Sequence, residues 1–542
     1  MKAKRPLITP VGLGSGAAIG GVWLVQTYGL ELVQAPLVWS EIGSRRQTTH
    51  HPAHRQEVHQ EKMRPEHTLQ GNLTFMLKHE GVHLELLARL FDRIEPRQLA
   101  DWVRSEPNGQ YARRSAFFYE WLTARKLPVE DGLAGGNFVD ALNAQAQVVA
   151  TSSIPVNRWR VRDNMPGTPA FCPTVRLTQA VREALQFDLS RALAREETEF
   201  GAEVLRRSAV WMTLRESRSS FQIEGEQDQI TRVQRFAAVM ERRTGTGDAP
   251  LTAEALATLQ KDILGEVTTL DMFGLRQSPV FVGQTVRYDN VVHYVAPEWP
   301  DIDVMLEGLR TFLERTQGAS PIARAAVASF SFVYIHPLAD GNGRVHRFLV
   351  NDVLRRDGAI HAPFILPLSA LITENSTERA RYDEALEAYS RPLMARYADR
   401  CTFTRTPEKQ SDRVMSNFHF DAYAEARPAW RFPDLTSHVA YTSGLLERTI
   451  HQEMHRQAEF FRSLDDARAG VKEIIEGPNA DIDAIIQSAR ENGGTLSGKL
   501  AKRFPALQNA TTWSRVGAAI AEAFAPRRLE PDMPPGDQDS PR

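Results

Sequence analysis

Two cysteines in 542 residues, Cys172 and Cys401, rule out a disulfide framework and fit a reducing cytoplasm. Neither sign of charge is in excess. Against 65 Lys and Arg stand 67 Asp and Glu, and a pI near 6.8 gives no overall pull toward nucleic acid. Long apolar runs are also scarce. Residues 6–30 carry no charge, but Pro10, several glycines, Gln26 and Thr27 interrupt them, and their apolar core AAIGGVWLV is short for a bilayer. A soluble, partly buried segment is expected there, and no membrane. GLGSGAAIGG has the glycines of a dinucleotide loop, yet no strand precedes it and no acid follows at the right distance, so that reading fails. No internal repeat is evident. What remains is a globular composition, long enough for more than one domain.

The most informative stretch is HPLADGNGRVHR at 336–347. His336 ends an apolar run (AAVASFSFVYI) that predicts a buried helix, and Pro337 stops that helix. Asp340 follows, then Gly341-Asn342-Gly343, then Val345, Phe348, Leu349 and Leu354 at helical spacing. A glycine-rich turn that opens a helix aims unpaired N–H groups and the positive helix end at one point, which is an anion cradle. Arg344 and Arg347, three residues apart, share a helix face and can flank that anion. Singly, each part reads as a core histidine, a turn or a solvated face. Together they point to phosphate chemistry.

The string also matches the signature H-x-F-x-[DE]-G-N-G-R-x-x-R, and the chain therefore resembles a Fic-domain adenylyltransferase. It departs at Leu338, where the family usually has Phe, a side chain that packs inward. The resemblance implies His336 as general base for a target hydroxyl, with a pKa near the working pH. It implies Asp340 as ligand of Mg²⁺, Gly341, Asn342 and Gly343 as anion hole, and Arg344 and Arg347 as neutralisers of pyrophosphate. ATP is then the donor, and a protein Ser, Thr or Tyr the acceptor. Gly343 stands where kinase-type relatives have Lys, which favours nucleotidyl transfer. Tyr382 falls where family members often line the base.

Two further stretches resemble the family. Ser220-Phe221-Gln222-Ile223-Glu224-Gly225 fits the inhibitory pattern [ST]-x-x-x-E-[GN], and its place at the end of a helical stretch implies the class with an N-terminal inhibitory helix. There Glu224 would pair with Arg347, in the space of the γ-phosphate. Phe273-Gly274-Leu275-Arg276 leads into VFVGQTVRYDNVVHYVAP, a predicted hairpin resembling the flap that clamps a target, with Val280, Phe281, Val282 and Gly283 as target-binding residues.

The expected fold class is mainly α-helical: a Fic helical core with a small β-hairpin flap, plus helical N- and C-terminal modules. Residues 1–175 form an N-terminal helical module with a histidine-rich linker at 43–67. Helices are predicted over 73–94, from Pro96 through Trp102, and over 112–122. These three form either a DNA-contacting helix-turn-helix or a cap. Residues 128–175 read as loops. Residues 176–250 carry the inhibitory motif, and 251–405 the catalytic core, with Thr252 as a helix cap. Residues 406–525 form a helical, winged-helix-like module in which Thr495 caps a short helix, and 526–542 a disordered tail.

The leading function is a self-inhibited protein adenylyltransferase that can also label itself. Removal of AMP by the same residues stays open, as does transfer of UMP, GMP or phosphocholine, since the motif reads phosphates and not the base. A third reading is a DNA- or protein-binding regulator with a vestigial site. The target protein is not readable, while a DNA contact through the flanking helical modules and a homodimer stay open as partner readings.

Overall fold

The computed structural model describes residues 18–51, 54–225, 230–286 and 289–526. The early part of the uncharged segment, the turn of the predicted flap and all but the first residue of the expected tail lie outside them. The described residues form two compact units, one from Met1–Arg191 and Thr213–Thr449, the other from Ala192–Met212 and Ile450–Arg542.

The first unit opens on a sheet of β1 (Ala18–Ile19), β2 (Val38–Ile42), β3 (Gln47–His50) and β4 (Arg55–His59), ordered β1-β2-β4-β3. Here the structure corrects the reading of 43–67 as a linker. Its side chains are mostly polar and exposed, so no apolar alternation marks it. Backbone pairing of β4 along β2, whose Val38 and Ile42 are buried, and of β3 along β4 makes this stretch two strands of a sheet, with β3 at its edge.

Around this sheet lie α1 (Gly20–Tyr28), α2 (Leu69–Phe75), α3 (Leu84–Arg93), α4 (Pro96–Ser105) and α5 (Gln110–Thr123). The helix predicted over 73–94 breaks at Gly81, whose φ of 96° suits glycine, and restarts where His83 Nδ1 accepts from Leu86 N–H. Pro96 opens α4 at its first turn, as predicted. Leu86, Leu90, Trp102 and Phe118 join one apolar core. In α5 Arg113 donates to the carbonyls of Asn137 and Arg160, and Arg114 to those of Ala141 and Leu77. Both arginines are buried, so the basic pair at the start of α5 serves the module's interior. Within the loops of 128–175 sits a small sheet, β5 (Val139–Asp140), β6 (Ile154–Val156) and β7 (Val161–Asp163), ordered β5-β7-β6.

Next in the chain come α6 (Gln179–Ala184), α7 (Leu189–Phe200), α8 (Ala202–Ile223) and α9 (Ile230–Arg243), of which Ala192–Met212 in α7 and α8 belongs to the second unit. Thr252 caps α10 (Ala253–Leu264) by accepting from Ala255 N–H, as predicted. The predicted hairpin forms as β8 (Phe281–Val286) and β9 (Asp289–Val295), followed by α11 (Ile302–Arg315). The site is built on α12 (Pro321–Ile335) and α13 (Asn342–Arg356). α12 is apolar nearly all round and buried accordingly, with Pro321 in its first turn and Ser320 as its cap. α14 (Leu368–Glu374) and α15 (Ser376–Tyr397) pack beyond them.

Where helix was expected from 412, β10 (Cys401–Lys409) and β11 (Met415–Phe420) form an antiparallel hairpin, with Phe418 and Phe420 on its buried face. α16 (Tyr423–Arg431) and α17 (Thr436–Arg448) complete the unit. The 406–525 stretch therefore divides, and only its part from Ile450 belongs to the second unit.

That second unit contains α18 (His455–Lys472), α19 (Asn479–Glu491), α20 (Gly498–Arg503) and α21 (Ala510–Ala523) around Val471, Ile482, Ile485, Leu507 and Val516. Ser497, not Thr495, caps α20. Its described residues include no strand, so the wing of a winged helix is not built there. The fold is mainly α-helical, as the sequence predicts. No described helix is long and apolar enough to cross a membrane.

Candidate active site

α12 ends at His336, a non-glycine residue at φ 50°, in the left-handed region that costs an L-residue about 1–2 kcal/mol. Three residues hold the turn that follows. Arg276 Nε donates to the His336 carbonyl at 2.7 Å, and Arg276 N–H donates to the Pro337 carbonyl at 2.9 Å. The Asn342 side chain clasps Leu338, accepting from its N–H at 3.0 Å and donating to its carbonyl at 2.7 Å. Leu338 is fully buried, so the substitution at this motif position fills an apolar slot. Gln260 on α10 donates to the Asp340 carbonyl at 2.9 Å and accepts from Gly274 N–H at 2.7 Å.

The His336 ring is oriented by its own helix. Nδ1 lies 3.1 Å from the Val333 carbonyl, which can only accept, so Nδ1 carries the proton and Nε2 holds the lone pair. Burial, helped by the nearby Arg276, lowers the imidazole pKa to about 4. This differs from the expected value near the working pH: the ring is neutral and basic-competent well below neutrality.

Gly341, at φ 92°, caps α13, and its N–H donates to Asp340 Oδ1 at 2.6 Å. Asp340 is exposed. The first N–H groups of α13 have no partner within the helix, which is what an anion cradle there would need. Asn342 joins it through its backbone, because its side chain is committed to Leu338.

At the head of α13 the two motif arginines meet one carboxylate. Glu224 Oε1 lies 2.6 Å from Arg347 and Oε2 lies 2.8 Å from Arg344. The sequence pointed to the first pairing and missed the second. Arg344 and Arg347 are 2% and 3% exposed, so removing Glu224 strips both buried cations of a counter-ion. Ser220 adds to the clamp: its hydroxyl accepts from Arg347 Nε at 2.7 Å and its carbonyl from Arg347 at 3.1 Å. Arg344 also lies over the Phe221 ring at 4.4 Å.

One residue of this clamp escaped the sequence reading. Glu216 is buried on α8 and accepts from both the N–H and the hydroxyl of Ser369, each at 2.6 Å. Burial pushes its carboxyl pKa up to about 7. Glu216, Ser220 and Glu224 recur every fourth residue, the spacing of one helix face, and that was the available signal. Tyr382, expected beside a base, is buried against His346 and Tyr441, and burial raises its hydroxyl pKa against the opposing pull of Arg347. Of the flap residues, Val282 and Gly283 are exposed, Phe281 is half-buried, and Val280 precedes β8.

Comparison with known proteins agrees with the motif. Residues 250–354 match the Fic/DOC family. The Fic protein adenylyltransferase of Drosophila virilis is 30% identical over 119 residues, 22% of each chain. The fic-1 protein adenylyltransferase of Caenorhabditis briggsae is 28% identical over 170 residues, 31% of this chain and 29% of that one. The chain thus spans less than a third of these two relatives. Among solved structures, a Fic family protein from Desulfovibrio desulfuricans G20 is 17% identical with a TM-score of 0.33, covering 54% of this chain and 80% of its own. A Fic domain containing signaling protein from Bacteroides thetaiotaomicron is 16% identical with a TM-score of 0.34, covering 50% and 97%.

Proposed function

We propose that this protein transfers AMP from ATP to a Ser, Thr or Tyr hydroxyl of a protein, itself included, and that Glu224 restrains the transfer. What supports this most is the convergence of Arg344 and Arg347 on one carboxylate at the start of α13, within the matched family domain. Two buried guanidiniums at a helix head suit a polyphosphate, and a carboxylate that holds both competes with it.

The acceptor oxygen attacks the α-phosphorus and gives its proton to His336 Nε2. A new O–P bond forms as the bond from the α-phosphorus to the bridging oxygen breaks, and pyrophosphate leaves. Arg344 and Arg347 neutralise the charge growing on it. Asp340 would hold Mg²⁺. Its carboxylate is exposed with one oxygen engaged by Gly341, and among the described residues no group of three or more protein ligands is gathered. That suits a cation taking most of its ligands from phosphate and water. When bound, Mg²⁺ would draw charge from the phosphates.

Glu224 acts by charge and by occupancy. At an effective dielectric of about 20, two unit charges about 4 Å apart interact by roughly 4 kcal/mol, so a carboxylate at the arginines repels an incoming phosphate strongly. The flap, by strand pairing, would hold the acceptor segment extended. The test is incubation with ATP labelled at the α-phosphate and Mg²⁺, then mass spectrometry of the labelled protein. The expected product carries one AMP on a hydroxyl residue. Label that appears equally with a folded His336→Ala protein would overturn the mechanism.

A further inference from the structure

A flap that pairs with an acceptor needs a fixed orientation, and a two-stranded hairpin has little of its own. Such hairpins are marginal in water without packing on one face. Val282 on β8 and Val291 on β9 are 41% and 40% exposed, and register shifts between Val282 and Gly283. The anchoring face comes from elsewhere in the chain. The Phe281 ring lies 5.2 Å from Phe403, edge-on, and 4.8 Å from Phe418, which are themselves 5.4 Å apart. These partners sit on β10 and β11, more than a hundred residues later and outside the matched family domain.

A second pin holds the chain just before the flap. Asp412, in the turn between β10 and β11, is buried, and its Oδ2 accepts from Gln277 N–H and from the Ser278 hydroxyl, both at 2.8 Å. Its other oxygen accepts from Val414 N–H at 3.2 Å, which fixes the turn itself. Gln277 and Ser278 directly follow Arg276. That guanidinium donates to the His336 carbonyl, the Ser278 carbonyl and the Pro297 carbonyl, at 2.7, 2.8 and 2.7 Å. The same short segment therefore carries the contact to the histidine turn, the start of the flap and the contact to the second hairpin.

We propose that the β10–β11 hairpin is a brace that sets the flap against His336 for the acceptor chain, with Phe403, Phe418 and Asp412 as positioning residues. The inference rests on the transferase reading above and extends it to a part of the chain that lies outside the matched domain. The aromatic cluster fixes the tilt of β8, and Asp412 fixes where the flap leaves the catalytic turn. Neither group reaches the α13 head where the phosphates would bind. Loss of the brace should therefore weaken use of the acceptor and leave nucleotide binding alone.

The test uses the full chain in a Glu224→Gly background, with ATP labelled at the α-phosphate and an inactive His336→Ala copy of the chain as acceptor. Phe403→Ala and Asp412→Ala should each raise KM for the acceptor about tenfold, with the Kd for ATP within about twofold of the parent. Phe403→Leu and Asp412→Asn, which keep the apolar contact and the acceptor oxygen, should restore most of the loss. Amide exchange across residues 281–295 should quicken in the two alanine variants, with α12 and α13 unchanged. An unchanged acceptor KM, a parallel loss of ATP affinity, or unaltered exchange in the flap overturns the brace. If the Glu224→Gly parent labels no acceptor, the transferase reading fails, and the exchange measurement alone still decides whether the second hairpin holds the flap.

Discussion

A β-carbon placed on Gly343 would stand 2.5 Å from Glu224 Oε1 and 3.1 Å from an Arg347 nitrogen. The absence of a side chain at this motif position is therefore a condition for the clamp. Gly343→Ala should force Glu224 off the arginines and destabilise the protein by about 1–3 kcal/mol, the usual cost of overpacking. In a Glu224→Gly background most of that cost should vanish, because the clash partner is gone. Thermal melts of the double-mutant cycle measure the coupling. Equal costs in both backgrounds would show that the two residues do not compete for the space.

His336→Ala should lower transfer by about 10²–10⁴-fold without unfolding the chain, the range for loss of a general base. The pH profile is sharper. A base whose pKa is lowered to about 4 is already neutral at pH 7, so kcat/KM should be flat on its account between about pH 6 and 8. It should fall only as the pH approaches that lowered value. An acidic limb with its midpoint near the ordinary histidine value, lost in His336→Ala, would contradict the lowered pKa described for the ring.

Asp340→Ala and Arg344→Ala should both reduce transfer but answer differently to magnesium. If Asp340 holds the cation, raising Mg²⁺ recovers part of the loss, because the phosphates and water still supply ligands. The loss in Arg344→Ala is a missing charge at the leaving group, and more metal does not replace it. Initial rates against Mg²⁺ concentration separate the two, and parallel curves would refute the assignment.

Glu216 makes stability depend on pH. Its folded pKa of about 7 lies above the ordinary carboxylate value, so the folded state keeps a proton that the unfolded state releases. Its contribution is fully present below the unfolded value and is lost as pH rises through about 7. Glu216→Gln mimics the protonated acid, with an amide that can donate to the Ser369 hydroxyl while its oxygen accepts from the Ser369 N–H. Melting curves between about pH 5 and 8 should be flatter for the variant than for wild type. Parallel curves would mean the group does not titrate in that window.

The site was more legible than the fold around it. A dozen contiguous residues, from His336 to Arg347, carry their own turn, cap and charge pattern, and the structure assembles them locally. Glu224 was readable because its hexamer sits at a helix end. Glu216, Gln260 and Asp412 were not, because each acts through partners distant in sequence, and an isolated acid or amide has no signature. The sheet at 38–59 was hidden by polar side chains on strands held by backbone pairing. The β10–β11 hairpin was hidden by a bulge between Phe403 and Glu408 that breaks its alternation. Thr252, Pro96 and the flap strands were legible because caps, prolines and β-branched runs act over a few residues.

The central claim is that Glu224 holds back a competent transferase by occupying Arg344 and Arg347. Its most direct measurement is the initial rate of AMP incorporation from α-labelled ATP, at saturating Mg²⁺, by wild type and Glu224→Gly at equal concentration. The account predicts at least a tenfold higher rate for Glu224→Gly, with Glu224→Gly/His336→Ala silent. Equal rates for wild type and Glu224→Gly, with both proteins folded and an acceptor present, would contradict it.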